Sequence, residues 1–135
     1  KEKCPDLVLV PPNYDLYNRS SKALIKLLSE YTDKIEQYSI DEAFLDMTGC
    51  CKDPITTAYG IKNRVHAELG FTVYIGVSEN KLLAKMASDF TKPNHVYTLW
   101  KSEISEKMWH LPVGDLFYVG HASLCKLKKL GMQMV

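Results

Sequence analysis

Apolar residues recur along the chain in two rhythms, short continuous runs and stripes at helical spacing. Leu7-Val8-Leu9-Val10 is a run closed by Pro11-Pro12, the pattern of a strand followed by a break. From about Tyr14 to Tyr31, the residues Tyr17, Leu24, Leu27, Leu28 and Tyr31 repeat at helical spacing. This predicts a helix with Tyr14 and Tyr17 packed in the core rather than offering rings for base stacking. Ile35 to Ile40 and Ala43 to Met47 are rich in strand formers, with Asp41-Glu42 between them where a hairpin turn falls. Ala58, Ile61, Val65 and Leu69 stripe the next helix, opened by Asp53 as N-cap and Pro54, and ended by Gly70. Phe71 to Val77 is the most strand-like run. A helix from about Glu79 to Phe90 follows, capped by Ser78, with Leu83, Met86, Ala87 and Phe90 on one face. Lys92-Pro93-Asn94 breaks it, and Val96 to Leu99 forms a last strand.

The core of this order is β-α-β-β-α-β, which predicts an α+β, ferredoxin-like fold: a mostly antiparallel sheet with helices on one face. After Trp100 the character changes. Ser102 to Trp109 reads as a short helix capped by Ser102, Leu111-Pro112-Val113 as a joint, and the tail as a turn followed by a basic helix. The expected domains are 1–100 and a small helical unit, 101–135. Such a sheet serves polymerase palms, nucleotidyl cyclases and binding modules alike, so architecture alone does not select a function.

The 135 residues are one domain's worth, and 46% hydrophobic content suffices for a real core. The formal net charge of +1 announces no polyanionic partner, so a nucleic-acid role must rest on local patches. No apolar run approaches the roughly 18 residues of a membrane span, and no apolar segment marks a signal peptide at Lys1-Glu2-Lys3-Cys4-Pro5. Cys4, Cys50, Cys51 and Cys125 include no C-x-x-C spacing, which favours reduced thiols and a cytoplasmic location over zinc or a disulfide framework. His66 is a lone histidine on a helix and reads as structural or exposed.

Asp41-Glu42 is the stretch that carries chemistry. Adjacent side chains diverge in a flat strand but converge at a turn, and paired carboxylates suit Mg²⁺, which takes oxygen ligands and shares them with substrate phosphates. An ordinary polar hairpin turn is the plain alternative. Ser39-Ile40-Asp41-Glu42-Ala43-Phe44-Leu45-Asp46 closely resembles the palm metal motif of the Y-family, translesion DNA polymerases, the DinB/UmuC or ImpB/MucB/SamB group. The resemblance implies that Asp41 bridges two metals, Mg²⁺ or alternatively Mn²⁺, and that Glu42 holds the one nearer the primer hydroxyl. It extends in order through Ser78-Glu79-Asn80-Lys81-Leu82-Leu83-Ala84-Lys85 and Thr91-Lys92-Pro93-Asn94, a K-P-N turn whose lysine holds the incoming triphosphate. Lys92 inherits that role, with Lys85 and Lys81 beside it or merely on a solvated face. His95 stands where the family has glycine. Val119-Gly120-His121-Ala122 before Lys126, Lys128 and Lys129 resembles the helix-hairpin-helix of the family's thumb, with Ala122 read as replacing its second glycine. Gly120, His121, Ala122 and the three lysines are therefore the expected contacts to a duplex backbone; a basic amphipathic helix is the alternative.

The family's third carboxylate comes from a D-x-D-x-F-like strand, and Asp6 and Asp15 stand in other contexts. The expectation is a palm with a partial thumb, cut from a longer polymerase without its first strand, fingers and little finger, and inactive by itself. Its implied partners are primer–template DNA, a deoxynucleoside triphosphate and, for the parent, a sliding clamp. An exposed sheet edge could also pair with another chain. The alternatives are a non-catalytic DNA- or partner-binding module and, with less support, a nucleotidyl cyclase.

Overall fold

The structure is a computed structural model and describes residues 3–90 and 93–135. It divides into two compact units, Lys1–Leu45 and Asp46–Val135. Its described elements are mixed α and β: five α-helices and four short strands in two small sheets.

In the first unit, helix α1 spans Tyr14–Leu28. Asn13 caps it, its side-chain oxygen accepting the Leu16 N–H at 3.0 Å, and Asp15 and Lys26 complement the helix dipole at its two ends. Leu27 and Leu28 are buried as the stripe predicts. Tyr14 and Tyr17 depart from expectation: they are 68% and 45% exposed, and pack edge-on against each other at 6.0 Å. Periodicity marks the apolar stripe of a helix, but not how far along its length other residues cover it. Strands β1 (Ile35–Gln37) and β2 (Ala43–Leu45) pair antiparallel, with Ile35 opposite Leu45 and Gln37 opposite Ala43. Residues 7–10 form no strand, and Val8, Leu9 and Val10 are almost fully exposed. An apolar run becomes a strand only beside a partner edge, which composition cannot supply.

In the second unit, helix α2 (Pro54–Leu69) begins where Asp53 accepts the Ile55 N–H at 3.0 Å and the Thr56 hydroxyl. The Thr56 hydroxyl, followed by the backbone N–H groups of Ile55 and Thr56, holds the Asp53 carboxyl below its ordinary range. Gly70 ends the helix at φ 72°, its N–H donating to the His66 carbonyl, a conformation in which a side chain would be strained. Ala58, Ile61 and Val65 are buried, as their spacing predicts, and His66 is exposed.

Strand β3 (Ile75–Val77), helix α3 (Lys81–Phe90) and strand β4 (Val96–Thr98) form a strand–helix–strand unit. β3 and β4 run parallel, Ile75 opposite Val96 and Val77 opposite Thr98. Against the expected mostly antiparallel sheet, the described strands form one antiparallel pair, β1–β2, and one parallel pair, β3–β4. A helix between two neighbouring strands returns the chain to the same end, so the second strand repeats the first one's direction. Ser78 does not cap α3. Its hydroxyl donates to the Leu99 carbonyl, while Asn80 accepts the Leu83 N–H at 2.9 Å and caps the helix. Helix α3 lies so close to β3 that a Cβ on Gly76 would stand 1.8 Å from the Ala84 carbonyl oxygen and 2.7 Å from the Ser88 nitrogen.

The core continues past residue 100. Leu83, Met86 and Ala87 of α3 cluster with Leu99 and Met108, and Ile104, Leu111, Leu116, Phe117 and Val135 pack around them. Residues 102–109, expected as one helix, are a 3₁₀ turn over Lys101–Glu103 followed by helix α4, Ile104–Lys107. Ser102 caps nothing among the described contacts. Glu103 takes that place, accepting the Trp100 N–H at 2.8 Å and pairing with Lys107 Nζ at 2.6 Å. Lys107 Nζ also stands 5.0 Å from the Tyr97 ring centre. A second 3₁₀ turn, Val113–Asp115, precedes helix α5, His121–Lys129. The chain end returns to the joint at Pro112, Val113 N–H donating to the Gln133 carbonyl at 2.8 Å and Val135 N–H to the Leu111 carbonyl at 3.1 Å.

Two predictions follow from this packing. Gly76→Ala is expected to destabilise the chain by more than about 3 kcal/mol in urea unfolding, because the atoms its methyl meets are backbone and cannot swing aside. The Glu103–Lys107 pair should act at both ends of the pH scale. Lys107's hydrogen bond and the Trp100 N–H hold the Glu103 carboxyl low, so its contribution is complete above about pH 4.3 and lost as pH falls through the depressed value. Glu103 holds the Lys107 ammonium high, so its contribution is complete below about pH 10.4 and lost as pH rises through the raised value. The Tm difference between the parent and Glu103→Gln should be flat between these limits and shrink outside them.

Candidate metal and phosphate sites

The β1–β2 hairpin brings Asp41 and Glu42 together. Tyr38 and Ser39 N–H groups both donate to the Glu42 carbonyl, at 2.9 and 3.1 Å, and close the turn. Within it the Ser39 hydroxyl donates to Asp41 Oδ1 at 2.6 Å and lies 3.5 Å from Glu42 Oε2, while the Asp41 N–H donates back to Ser39 Oγ at 3.3 Å. One hydroxyl therefore stands between the two carboxylates. Gln37 braces the turn from below: its side-chain amide donates to the Ser39 carbonyl at 3.0 Å and to the Ser21 hydroxyl on α1 at 3.1 Å. Tyr38 and Phe44 add an edge-on ring contact at 6.0 Å. Asp41 is exposed and Glu42 half-buried, so both remain reachable from solvent. Ser39 and Gln37 were not among the expected site residues. The signal was present in Ser-x-Asp, a spacing that lets a side chain close a turn locally. No group of three His, Cys, Asp or Glu side chains converges among the described residues.

Lys92 lies outside the described residues. Of the turn it belongs to, Asn94 takes φ 53° and carries a buried Oδ1 with no hydrogen-bond partner. Asn tolerates this left-handed conformation better than other side chains. The residue after it needs no glycine: His95 opens the β3–β4 ladder, its carbonyl accepting the Ile75 N–H at 2.9 Å. Lys81 is the exposed first residue of α3. Lys85, one turn on, pairs with Asp89 at 3.0 Å and holds its ammonium 5.7 Å from the Phe117 ring centre. The first turns of α3 thus carry two cations, and Asp89 meets the second of them.

The tail forms a tight turn before a basic helix. Val119 N–H donates to the Leu116 carbonyl at 2.9 Å, Gly120 N–H to the Tyr118 carbonyl at 3.1 Å, and Leu124 N–H to the Gly120 carbonyl at 2.9 Å. Gly120, His121, Ala122, Lys126, Lys128 and Lys129 are all exposed. The lysines occupy the last turns of α5, where they also complement the helix dipole. Ala122, read as standing in for a glycine, lies inside α5 and needs no glycine's freedom. The residue with φ in the left-handed region is Tyr118, at 72°, on the other side of Val119 from Gly120. The position where a glycine is wanted is thus four residues earlier than the motif comparison placed it.

The chain is similar to proteins of known family. The impB/mucB/samB family profile matches residues 1–89. DNA polymerase IV of Clostridium acetobutylicum is 45% identical over 137 aligned residues, which cover 100% of this chain and 35% of that protein. The crystal structure of a DinB family error-prone DNA polymerase from Sulfolobus solfataricus matches with a TM-score of 0.86 and 30% identity, over 98% of this chain and 41% of that one. A ternary complex of Dbh matches with a TM-score of 0.84 and 33% identity, over 96% of this chain and 40% of that one. The chain therefore spans little more than a third of the relatives it matches, and with two thirds of its residues under the family profile it belongs to the impB/mucB/samB family of Y-family DNA polymerases.

Proposed function

We propose that the chain carries the palm and part of the thumb of a DNA-directed translesion DNA polymerase. In this reading residues 1–100 belong to a ferredoxin-like palm and residues 101–135 to a helix-hairpin-helix thumb, and the whole protein works in the cytoplasm. The observation that carries it is the meeting of Asp41 and Glu42 over the Ser39 hydroxyl at a hairpin turn. Two accessible carboxylates are an all-oxygen donor set of the kind Mg²⁺ takes, and they fit a divalent ion. When bound, such ions supply the positive charge that stabilises the attacking and leaving oxygens of nucleotidyl transfer. The protein's part is to hold the carboxylates together, which Ser39 and Gln37 do, and to present cations to the triphosphate. Lys92 would do the latter, with Lys81 and Lys85; Lys85 would first exchange Asp89 for phosphate. Gly120, His121, Ala122, Lys126, Lys128 and Lys129 would contact the backbone of primer–template DNA. Contacts of this kind position a duplex without reading its sequence.

With no third acidic ligand converging on the pair among the described residues, we propose that this chain by itself extends primers weakly or not at all. The same observation favours a second reading, a palm-like module that binds DNA without catalysis.

Mn²⁺ binding followed by electron paramagnetic resonance, beside primer extension with Mg²⁺ or Mn²⁺, tests both. The parent chain should bind Mn²⁺, Asp41→Asn should abolish binding, and Ser39→Ala should weaken it by about tenfold, as loss of a group orienting a ligand does. Unchanged Mn²⁺ binding by Asp41→Asn would sink the metal reading. Primer extension that Asp41→Asn abolishes would overturn the inactivity of this chain, while metal-independent DNA binding without metal affinity would favour the non-catalytic module.

A further inference from the structure

Tyr118 and Gly120 stand in the tail turn as if exchanged. Gly120 has φ −77°, which any residue adopts, whereas Tyr118 has φ 72°, which favours glycine. A bulky residue in the left-handed region costs stability that glycine would not. Burial does not offset that cost, since Tyr118 is 72% exposed. The strain instead holds a large ring outward in a defined place. Tyr118 lies on Phe117, with ring centres 4.1 Å apart and planes at 39°. Phe117 is itself fixed: its N–H points at the Met86 sulfur at 3.3 Å, and its ring packs on the core cluster below Lys85. An exposed aromatic on an anchored one is a preorganised contact surface.

The sequence that follows points to the partner. After Asp115, the residues to Val135 hold Lys126, Lys128 and Lys129 and no further Asp or Glu. A polyanion that also offers flat apolar faces beside its phosphates is a nucleic acid. We propose that Tyr118 is a DNA-contacting residue, its exposed ring packing against a sugar and base edge of the strand whose phosphates the α5 lysines hold. The inference rests on the DNA-binding reading of α5 and adds to it a side-chain contact at the one position of the turn where the backbone favours glycine.

The test is fluorescence anisotropy of the full chain with a fluorescein-labelled primer–template duplex at low salt, joined to thermal melting. Tyr118→Gly is expected to bind about tenfold more weakly, the size of one lost aromatic–nucleotide contact, with a Tm at or above the parent's because the left-handed strain is relieved. Tyr118→Leu should lose the same affinity, and Tyr118→Phe should keep it. Parental affinity in Tyr118→Leu overturns the inference, as does a fall in Tm that tracks the loss of binding across the variants. If Lys126→Ala with Lys128→Ala and Lys129→Ala weakens binding while the Tyr118 variants do not, the inference fails and the reading beneath it stands. A parent chain that binds anionic phospholipid vesicles but no DNA overturns both.

Discussion

Backbone meets backbone where α3 crosses β3, and the contact exists only because residue 76 has no side chain. That closeness lets Leu83, Met86 and Ala87 reach the same cluster as Leu99 and Met108, burying surface at about 25 cal/mol per Å². The parallel pairing of β3 with β4 follows from the same crossover. So does the position of Lys81 and Lys85, which begin the helix that Gly76 admits. In the same unit Asn94 is held in the left-handed region shortly before the ladder begins.

The hairpin of the first unit solves a different problem. Two adjacent carboxylates at a turn repel each other. A neutral hydroxyl is a modest solution: it donates to Asp41 strongly and reaches Glu42 at the edge of hydrogen-bond distance. Gln37 then ties this turn to Ser21 on α1, so the pair is held by a chain of neutral donors. Such donors brace the carboxylates without carrying a charge of their own. In the second unit the opposite choice appears at Lys85, whose charge Asp89 meets, and at Glu103, whose charge Lys107 meets. Those pairs are ordinary helix neighbours at i and i+4, and they brace structure rather than await a ligand.

Much of this was legible in the residues. Asp53-Pro54 and Gly70 bracket α2 because capping and left-handed termination are local chemistry, decided within a few residues. The stripes Ala58, Ile61, Val65 and Leu83, Met86, Ala87 bury as their period requires. Asp41 and Glu42 fall in the turn of a hairpin because strand formers flank a segment in which Ser39 and Asp41 favour a turn, though the turn takes in Tyr38 to Ile40 as well. The family resemblance, read from Ser39 to Asp46 and from Thr91 to Asn94, rests on residue identity and needs no geometry.

What tertiary structure alone decided is partnership. Whether residues 7–10 pair, whether β4 runs with or against β3, and whether Tyr14 and Tyr17 are covered all depend on what lies beside them, and local pattern holds no information about neighbours distant in sequence. Ser78 and Asn80 are both good caps by composition; the Leu99 carbonyl, arriving from far along the chain, claimed one and left the other to α3. The left-handed residue of the tail turn is Tyr118 and not a glycine of the motif for a related reason. A glycine motif records where backbone freedom is usual, but which residue must turn left-handed is set by the hydrogen bonds that close the turn, and these become visible only once the chain has folded.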